Sequence, residues 1–308
     1  MKQRHLLSLK DYSAGEIDEI FVLASQIKAN PAAHAQALAG KTLGMIFQKP
    51  STRTRVSFEV GMFQLGGHGL FLGGEQIQLQ RGETLADTAK VLSGYVDGIV
   101  ARVFSQQDVV DLAKHGTVPV INGLSDQLHP CQALADFFTL KELKGRVAGL
   151  KLAYIGDGNN VCNELMFGAV KLGVTMSVAC PQGYEPNQII VKAAAREALK
   201  TRSAAPTVLG DPIAAVSGAD AVYTDVWTSM GQEGESDKRL AAFEGFQVTQ
   251  KLMSGAKADG VFMHCLPAHR GEEVAADVID GSQSVVFQQA ENRLHVQKAI
   301  LAILIGGK

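Results

Sequence analysis

The chain has 308 residues, and at roughly 150 residues per domain that length suggests two domains. Its 29 Lys and Arg residues against 31 Asp and Glu leave a formal charge of −2, which argues against a general polyanion-binding surface and so against a nucleic-acid partner. An apolar fraction of 46% excludes a disordered chain.

Short apolar runs alternate with helical patterns along the whole length. They predict strands at 42–47, 70–72, 99–103 and 118–121, and helices over 11–29, 51–64, 83–95 and 105–115. Strands separated by helix-length segments need crossover connections and therefore a parallel sheet. His129-Pro130 opens a further helix, which carries Leu134, Phe137, Phe138 and Leu140 and ends at Gly145. Proline suits a first helical turn, where its missing N–H has no partner to lose. The alternation resumes at 152–155 and continues through 174–179, 221–224, 261–263 and 285–287. The polar, glycine-containing stretch 228–238 reads as a loop. A last helix is expected over 289–305, and its apolar run at 299–305 is seven residues, far short of the about 20 that a membrane span needs.

The expected fold is therefore α/β, with two doubly wound parallel-sheet domains over 1–145 and 146–288 and the helix within 289–308 packing back on the first. The opening MKQRHLLSLKDYS has no sustained apolar core or cleavage site, and no membrane partner is expected. Cys131, Cys162, Cys180 and Cys265 are widely spaced, which fits reduced thiols in the cytoplasm rather than a disulfide framework or a zinc knuckle.

Six segments carry candidate chemistry. In KPSTRTRVSFEVGMF, 49–63, a strand gives way to a helix with Ser51 as N-cap, leaving free N–H groups that suit an anion. Arg53 and Arg55 add guanidinium groups, and Val56, Val60 and Phe63 mark one helical face. A capped surface helix with solvated arginines explains the same residues, and no P-loop is present. In NGLSDQLHPCQALADFF, 122–138, His129 and Gln132 start a helix. Arg102, inside the strand GIVARVF, is a charge that needs a partner or a ligand. All of these fall at the carboxyl ends of strands, the ligand edge of open α/β sheets.

LAYIGDGNN places GxG after a strand, but Val161 stands at the third glycine position and the next strand ends without an acidic residue. The dinucleotide fingerprint thus fails twice, and Asn159 and Asn160 remain as amides for a small ligand. In DVWTSMGQE, Asp225 either pairs with a ligand ammonium or caps its own loop. In HCLPAHRG, Cys265 is a nucleophile, a hydrogen-bonding group or an inert thiol. Metal ligation by His264, Cys265 and His269 lacks the usual paired spacing. Arg293, in AENRLH, is an ordinary surface arginine without context.

Taken together, STRTR at 51–55, HPCQ at 129–132, GDGNN at 156–160, DVWTSMG at 225–231, HCLPAHRG at 264–271 and AENR at 290–293 resemble the aspartate/ornithine carbamoyltransferase family. SMG with HCLP points to ornithine as acceptor. The resemblance implies transfer of the carbamoyl group of carbamoyl phosphate to the δ-amino group of L-ornithine, giving L-citrulline and phosphate. It implies a carbamoyl phosphate domain, then an ornithine domain, with the site in the cleft between.

By the same resemblance Ser51, Thr52, Arg53 and Thr54 hold the phosphate, and Arg102, His129 and Gln132 surround the carbamoyl group. Arg293 supports the phosphate side, and Gln78 is contributed by the neighbouring subunit. Asn160, Asp225, Ser229 and Met230 hold the amino-acid end of ornithine, with Cys265 and Leu266 near its δ-amine. Arg102, His129, Asp225 and Cys265 are the expected catalytic residues. A homotrimer or a multiple of it is implied, with no metal and no organic cofactor.

Overall fold

The computed structural model describes residues 4–74, 82–228 and 233–307. The chain divides into two units, Met1–Phe138 with Glu291–Lys308, and Thr139–Ala290.

The first unit begins with α1 (Ala14–Ala29), started by a capping box in which Ser13 accepts from the Glu16 N–H and Glu16 accepts from the Ser13 N–H. There follow β1 (Thr42–Phe47), α2 (Thr52–Gln64), β2 (His68–Gly73), α3 (Leu85–Ser93), β3 (Gly98–Arg102), α4 (Gln106–His115) and β4 (Val120–Leu124). The strands are all parallel, in the order β2-β1-β3-β4. The central β3 is buried along its whole length, as a strand with helices on both faces must be. Ile46, Ile99, Ala101, Val109 and Leu112 lie in one core cluster of this unit.

After α5 (Pro130–Lys144) the second unit runs β5 (Lys151–Ile155), α6 (Asn160–Leu172), β6 (Thr175–Ala179), α7 (Gln188–Thr201), β7 (Thr207–Leu209), α8 (Pro212–Val216), β8 (Ala221–Thr224), α9 (Ser236–Ala242), α10 (Gln250–Met253), β9 (Val261–His264) and α11 (Ala276–Ile279). Its strands are also all parallel, in the order β7-β6-β5-β8-β9. Then α12 (Val286–Leu304) starts in the second unit and continues into the first.

Each sheet reverses its strand order once, between β1 and β3 in the first and between β5 and β8 in the second. The crevice beyond the carboxyl ends at such a reversal is where open α/β sheets take ligands. Ser51–Thr54 follow β1 and Arg102 ends β3, while Asp157–Asn160 follow β5 and Asp225 follows β8.

Three expectations are corrected. Residues 285–287 are no strand. The Val285 N–H reaches the Phe262 carbonyl beside a single Phe262–Ser284 bridge, and helix α12 begins at Val286. Residues 236–238 belong to α9 rather than to a loop, and 229–232 lie outside the described residues. The buried face of α2 is Thr54, Ser57, Phe58, Gly61 and Met62, whereas Val56 and Phe63 are exposed. Ser57 and Gly61 are buried there because α12 lies close against them, Ser57 bonding Gln297 and a Cβ at Gly61 coming within 3.3 Å of the Lys298 side chain.

Candidate active site

In the first unit the turn after β1 delivers Ser51, whose hydroxyl accepts from the Thr54 N–H at 3.2 Å and caps α2. This leaves the other first-turn N–H groups of α2 directed past β1, with the helix dipole adding to their pull on an anion. Arg293, 3% exposed, is built in from α12. It donates through Nη2 to Thr54 Oγ1 at 3.2 Å, through Nε to Gln297 Oε1 at 3.1 Å and through Nη1 to Gln132 Oε1. Gln297 in turn donates to Ser57 Oγ at 2.8 Å, and Ser57 donates to the Arg53 carbonyl. One buried network thus ties α12 to the start of α2 and the start of α5.

Arg102, at the end of β3, and His129, just before α5, are both buried. Burial first, and then the guanidiniums of Arg293, Arg102 and Arg53, hold the His129 imidazole well below its ordinary range. The half-site is therefore a cluster of cations around a neutral histidine, an environment made for a multiply charged anion. Arg55 takes no part among its described contacts. It lies 3.7 Å over the Phe71 ring and pairs with Glu59 at 3.1 Å on the surface of α2.

A stability prediction follows from His129. Its folded-state proton affinity is depressed, so the stability it contributes is complete above the unfolded value of 6.5 and is lost as pH falls below it. With His129 alone, that loss is about 1.4 kcal/mol per pH unit. Denaturant titrations between pH 7 and 5 should show a steeper acid loss in the wild type than in His129→Gln. Parallel slopes would contradict a buried neutral imidazole.

In the second unit the turn after β5 is set by close approach. A Cβ at Gly158 would lie 2.1 Å from the Pro186 nitrogen, so only glycine fits. Asn159 then caps α6, its Oδ1 accepting from the Val161 and Cys162 N–H groups at 3.0 and 3.1 Å. Its Nδ2 donates to Asp225 Oδ2 at 2.7 Å. Asn159 is thus occupied in orienting Asp225 rather than offered to a ligand, which corrects the sequence reading. The buried Asp225 also accepts at Oδ1 from the Val226 N–H at 2.8 Å and from the Cys265 thiol at 2.9 Å. Asp225 and Cys265 are therefore coupled directly. Asn160, next to Asn159, is the first residue of α6.

Beyond β9 the chain passes Cys265 with Leu266 in the left-handed region at φ 57°. His264 fixes that turn. Its Nδ1 accepts from the Leu266 N–H at 2.8 Å, so Nε2 carries the proton and faces the buried Glu273 at 3.2 Å. Asp225, His264 and Cys265 offer ligand atoms within 4.8 Å of one another. Both ring nitrogens of His264 are committed to these partners, so the trio does not fit a metal. His269 stands apart from Cys265, grouped with Glu272 and Glu273.

Sequence reasoning missed Arg239. It is buried, donates to the Trp227 carbonyl at 2.8 Å, and lies 3.3 Å from Asp157. Burial still pushes the Asp157 carboxyl up to about 6 against the pull of Arg239. The one available signal was an arginine at the junction between a polar stretch and the apolar run Leu240–Phe243. Gln78, Ser229 and Met230 lie outside the described residues.

The comparisons also divide the chain in two, but place residues 291–304 with the second domain. Residues 4–142 match the carbamoyl-P binding domain, and residues 148–304 match the Asp/Orn binding domain, of aspartate/ornithine carbamoyltransferase. The chain belongs to the aspartate/ornithine carbamoyltransferase family. An ornithine carbamoyltransferase of Thermococcus kodakarensis is 56% identical over 306 residues, covering 99% of this chain and 97% of that protein. That of Bacillus subtilis is 56% identical over 309 residues, covering 99% and 95%. The solved ornithine carbamoyltransferase from Pyrococcus furiosus superposes with a TM-score of 0.95 at 56% identity, covering 99% of this chain and 98% of that one. Within this carbamoyltransferase Arg53, Arg102 and His129 lie in the stretch matched by the carbamoyl-P domain, whereas Arg293, Asp225 and Cys265 lie in the stretch matched by the Asp/Orn domain.

Proposed function

We propose that the chain transfers the carbamoyl group of carbamoyl phosphate to the δ-amino group of L-ornithine, forming L-citrulline and releasing phosphate. The observation that carries this reading is the contrast between the two strand-order reversals. The first gathers Arg53, Arg102 and Arg293 around a neutral His129, and the second presents a carboxylate joined to a thiol.

In this reading Ser51, Thr52, Arg53 and Thr54 take the phosphate, with Arg293 behind them. Arg102 and His129 donate to the carbonyl oxygen as it gains negative charge, and Gln132 meets the carbamoyl nitrogen. Asp225 pairs with the α-ammonium of ornithine beside Asn160, Ser229 and Met230, and Cys265 with Leu266 borders the δ-nitrogen. The δ-nitrogen must reach the carbamoyl carbon within about 3–3.5 Å. Attack expels phosphate, and the nitrogen passes one proton to the departing phosphate as the new C–N bond forms.

Gln78 from a neighbouring copy completes the site of a homotrimer. The anabolic direction, toward arginine, is favoured by the relative from Pyrococcus furiosus, which is named as anabolic. No helix among the described residues is long and apolar enough to cross a membrane. The four cysteines stand outside any disulfide, the usage expected of a cytoplasmic chain.

A colorimetric citrulline assay tests the reaction. Product should require both carbamoyl phosphate and ornithine. Carbamoylation of aspartate in place of ornithine, or no ureido product at all, would overturn the proposal.

A further inference from the structure

Gln132 is held between two groups of opposite hydrogen-bonding character. Its Oε1 accepts from Arg293, and its Nε2 donates to Asp136 Oδ1 at 2.8 Å, one turn further along α5. Asp136 is 1% exposed and Gln132 is 2% exposed. A guanidinium only donates and an ionised carboxylate only accepts, so the amide has a single allowed orientation. In that orientation the amide keeps one oxygen lone pair and one N–H to offer elsewhere. A carbamoyl group presents an NH₂ donor and a carbonyl acceptor, and so complements both. Inorganic phosphate offers oxygens and, near neutral pH, a P–OH, but no planar NH₂–C=O edge, so it matches the amide's fixed donor and acceptor less well.

We infer that Asp136 is a positioning residue that fixes the Gln132 amide and thereby makes the first unit read the carbamoyl end of its ligand rather than phosphate alone. This rests on the proposed contact of Gln132 with the carbamoyl group. Without the carboxylate, Nε2 loses its anchor and the side chain regains the rotamer freedom that the Asp136 bond removes. A carboxylate buried here is otherwise expensive, since desolvation disfavours its charge and an apolar side chain would pack at lower cost.

The test is the ratio of affinities for carbamoyl phosphate and for inorganic phosphate, measured by equilibrium titration of the full chain. Asp136→Leu, close to the native side chain in shape but without an acceptor, should lower that ratio by about fivefold to tenfold, the worth of one positioned hydrogen bond. Asp136→Asn keeps an acceptor and should restore most of it. A purely structural role would lower the melting temperature and weaken both ligands alike, and an unchanged ratio in Asp136→Leu overturns the inference. Should the leucine variant fail to fold, Asp136→Ala carries the same comparison. Gln132→Leu run in parallel separates the two claims. If it lowers the ratio and Asp136→Leu does not, the positioning role fails while the Gln132 contact stands. If Gln132→Leu leaves the ratio unchanged, the contact itself fails and takes the inference with it.

Discussion

Replacing Arg293 by leucine should weaken carbamoyl phosphate binding at least about a hundredfold, close to 2.7 kcal/mol. Two losses combine. A charge-assisted bond to the anion is worth about 1.5–3 kcal/mol by itself. In addition, Thr54, Gln132 and Gln297 lose the group that holds them together. The effect on folding is smaller than the number of broken bonds suggests. Unsatisfied buried acceptors cost about 1–3 kcal/mol each. Against that, removing one guanidinium relieves repulsion from the arginines that share its influence on His129. The net destabilisation should be about 2–3 kcal/mol, well below the sum of the separate costs. Arg293→Lys should fall between, because an ammonium supplies the charge but not the planar fork that reaches all three partners. Calorimetric titration and denaturant melts read the two effects separately. Binding within threefold of wild type would remove Arg293 from the donor half-site.

Asp225→Asn should lower kcat/KM for ornithine by about a hundredfold to a thousandfold, the size expected when one member of a buried charge pair is lost. The KM for carbamoyl phosphate should hardly move. Asparagine keeps one acceptor oxygen, but Asp225 serves Asn159, the Val226 N–H and Cys265 together. The coupling to Cys265 also shapes the pH profile. Taking ~10.4 for a lysine-like amine, the δ-nitrogen at pH 7 is protonated by ~3.4 units, about 4.6 kcal/mol of the barrier. An ammonium has no lone pair, so kcat/KM for ornithine should climb from pH 6 toward 10. Cys265→Ala should lower the climbing limb and leave carbamoyl phosphate binding intact. A flat profile with chemistry limiting, together with full activity in Cys265→Ala, would sink the thiol's role. Ornithine turnover by Asp225→Asn at the wild-type rate would remove the carboxylate from the acceptor half-site.

The strands at 42–47 and 221–224 coincide with their predicted bounds, because a buried parallel strand announces itself as an unbroken apolar run. β7 was not anticipated, since its three residues between Pro206 and Gly210 are too few to form a period. At 285–287 the β-branched and aromatic composition imitated a strand, and only tertiary hydrogen bonding decided otherwise. The face of α2 was misjudged for a related reason. Apolar periodicity identifies Val56 and Phe63, but α2 packs close to α12 through Ser57 and Gly61 and turns Phe58 and Met62 inward with them.

For the site, motif order supplied the residue types, and strand ends supplied their places. What pattern cannot supply is which side chains touch. Asn159 turned toward Asp225, the Asp225–Cys265 bond, and Asp136 behind Gln132 each depend on distances of about 3 Å between residues up to 66 apart in sequence.

Arg293 and its partner Gln297 come from α12, whereas Ser51, Arg53, Thr54, Arg102, His129 and Gln132 all precede residue 139. On a ribosome adding about 5–20 residues per second, 164 residues separate His129 from Arg293, a wait of about 8–33 s. During that interval β1–β4 can pair, but the guanidinium that joins Thr54, Gln132 and Gln297 has yet to be made. The nascent first unit thus carries an exposed α2 face and an unfinished anion pocket until synthesis of the intervening second unit is done. Ligand should stabilise the early chain far less than the finished one, and full binding competence arrives late, with the docking of α12.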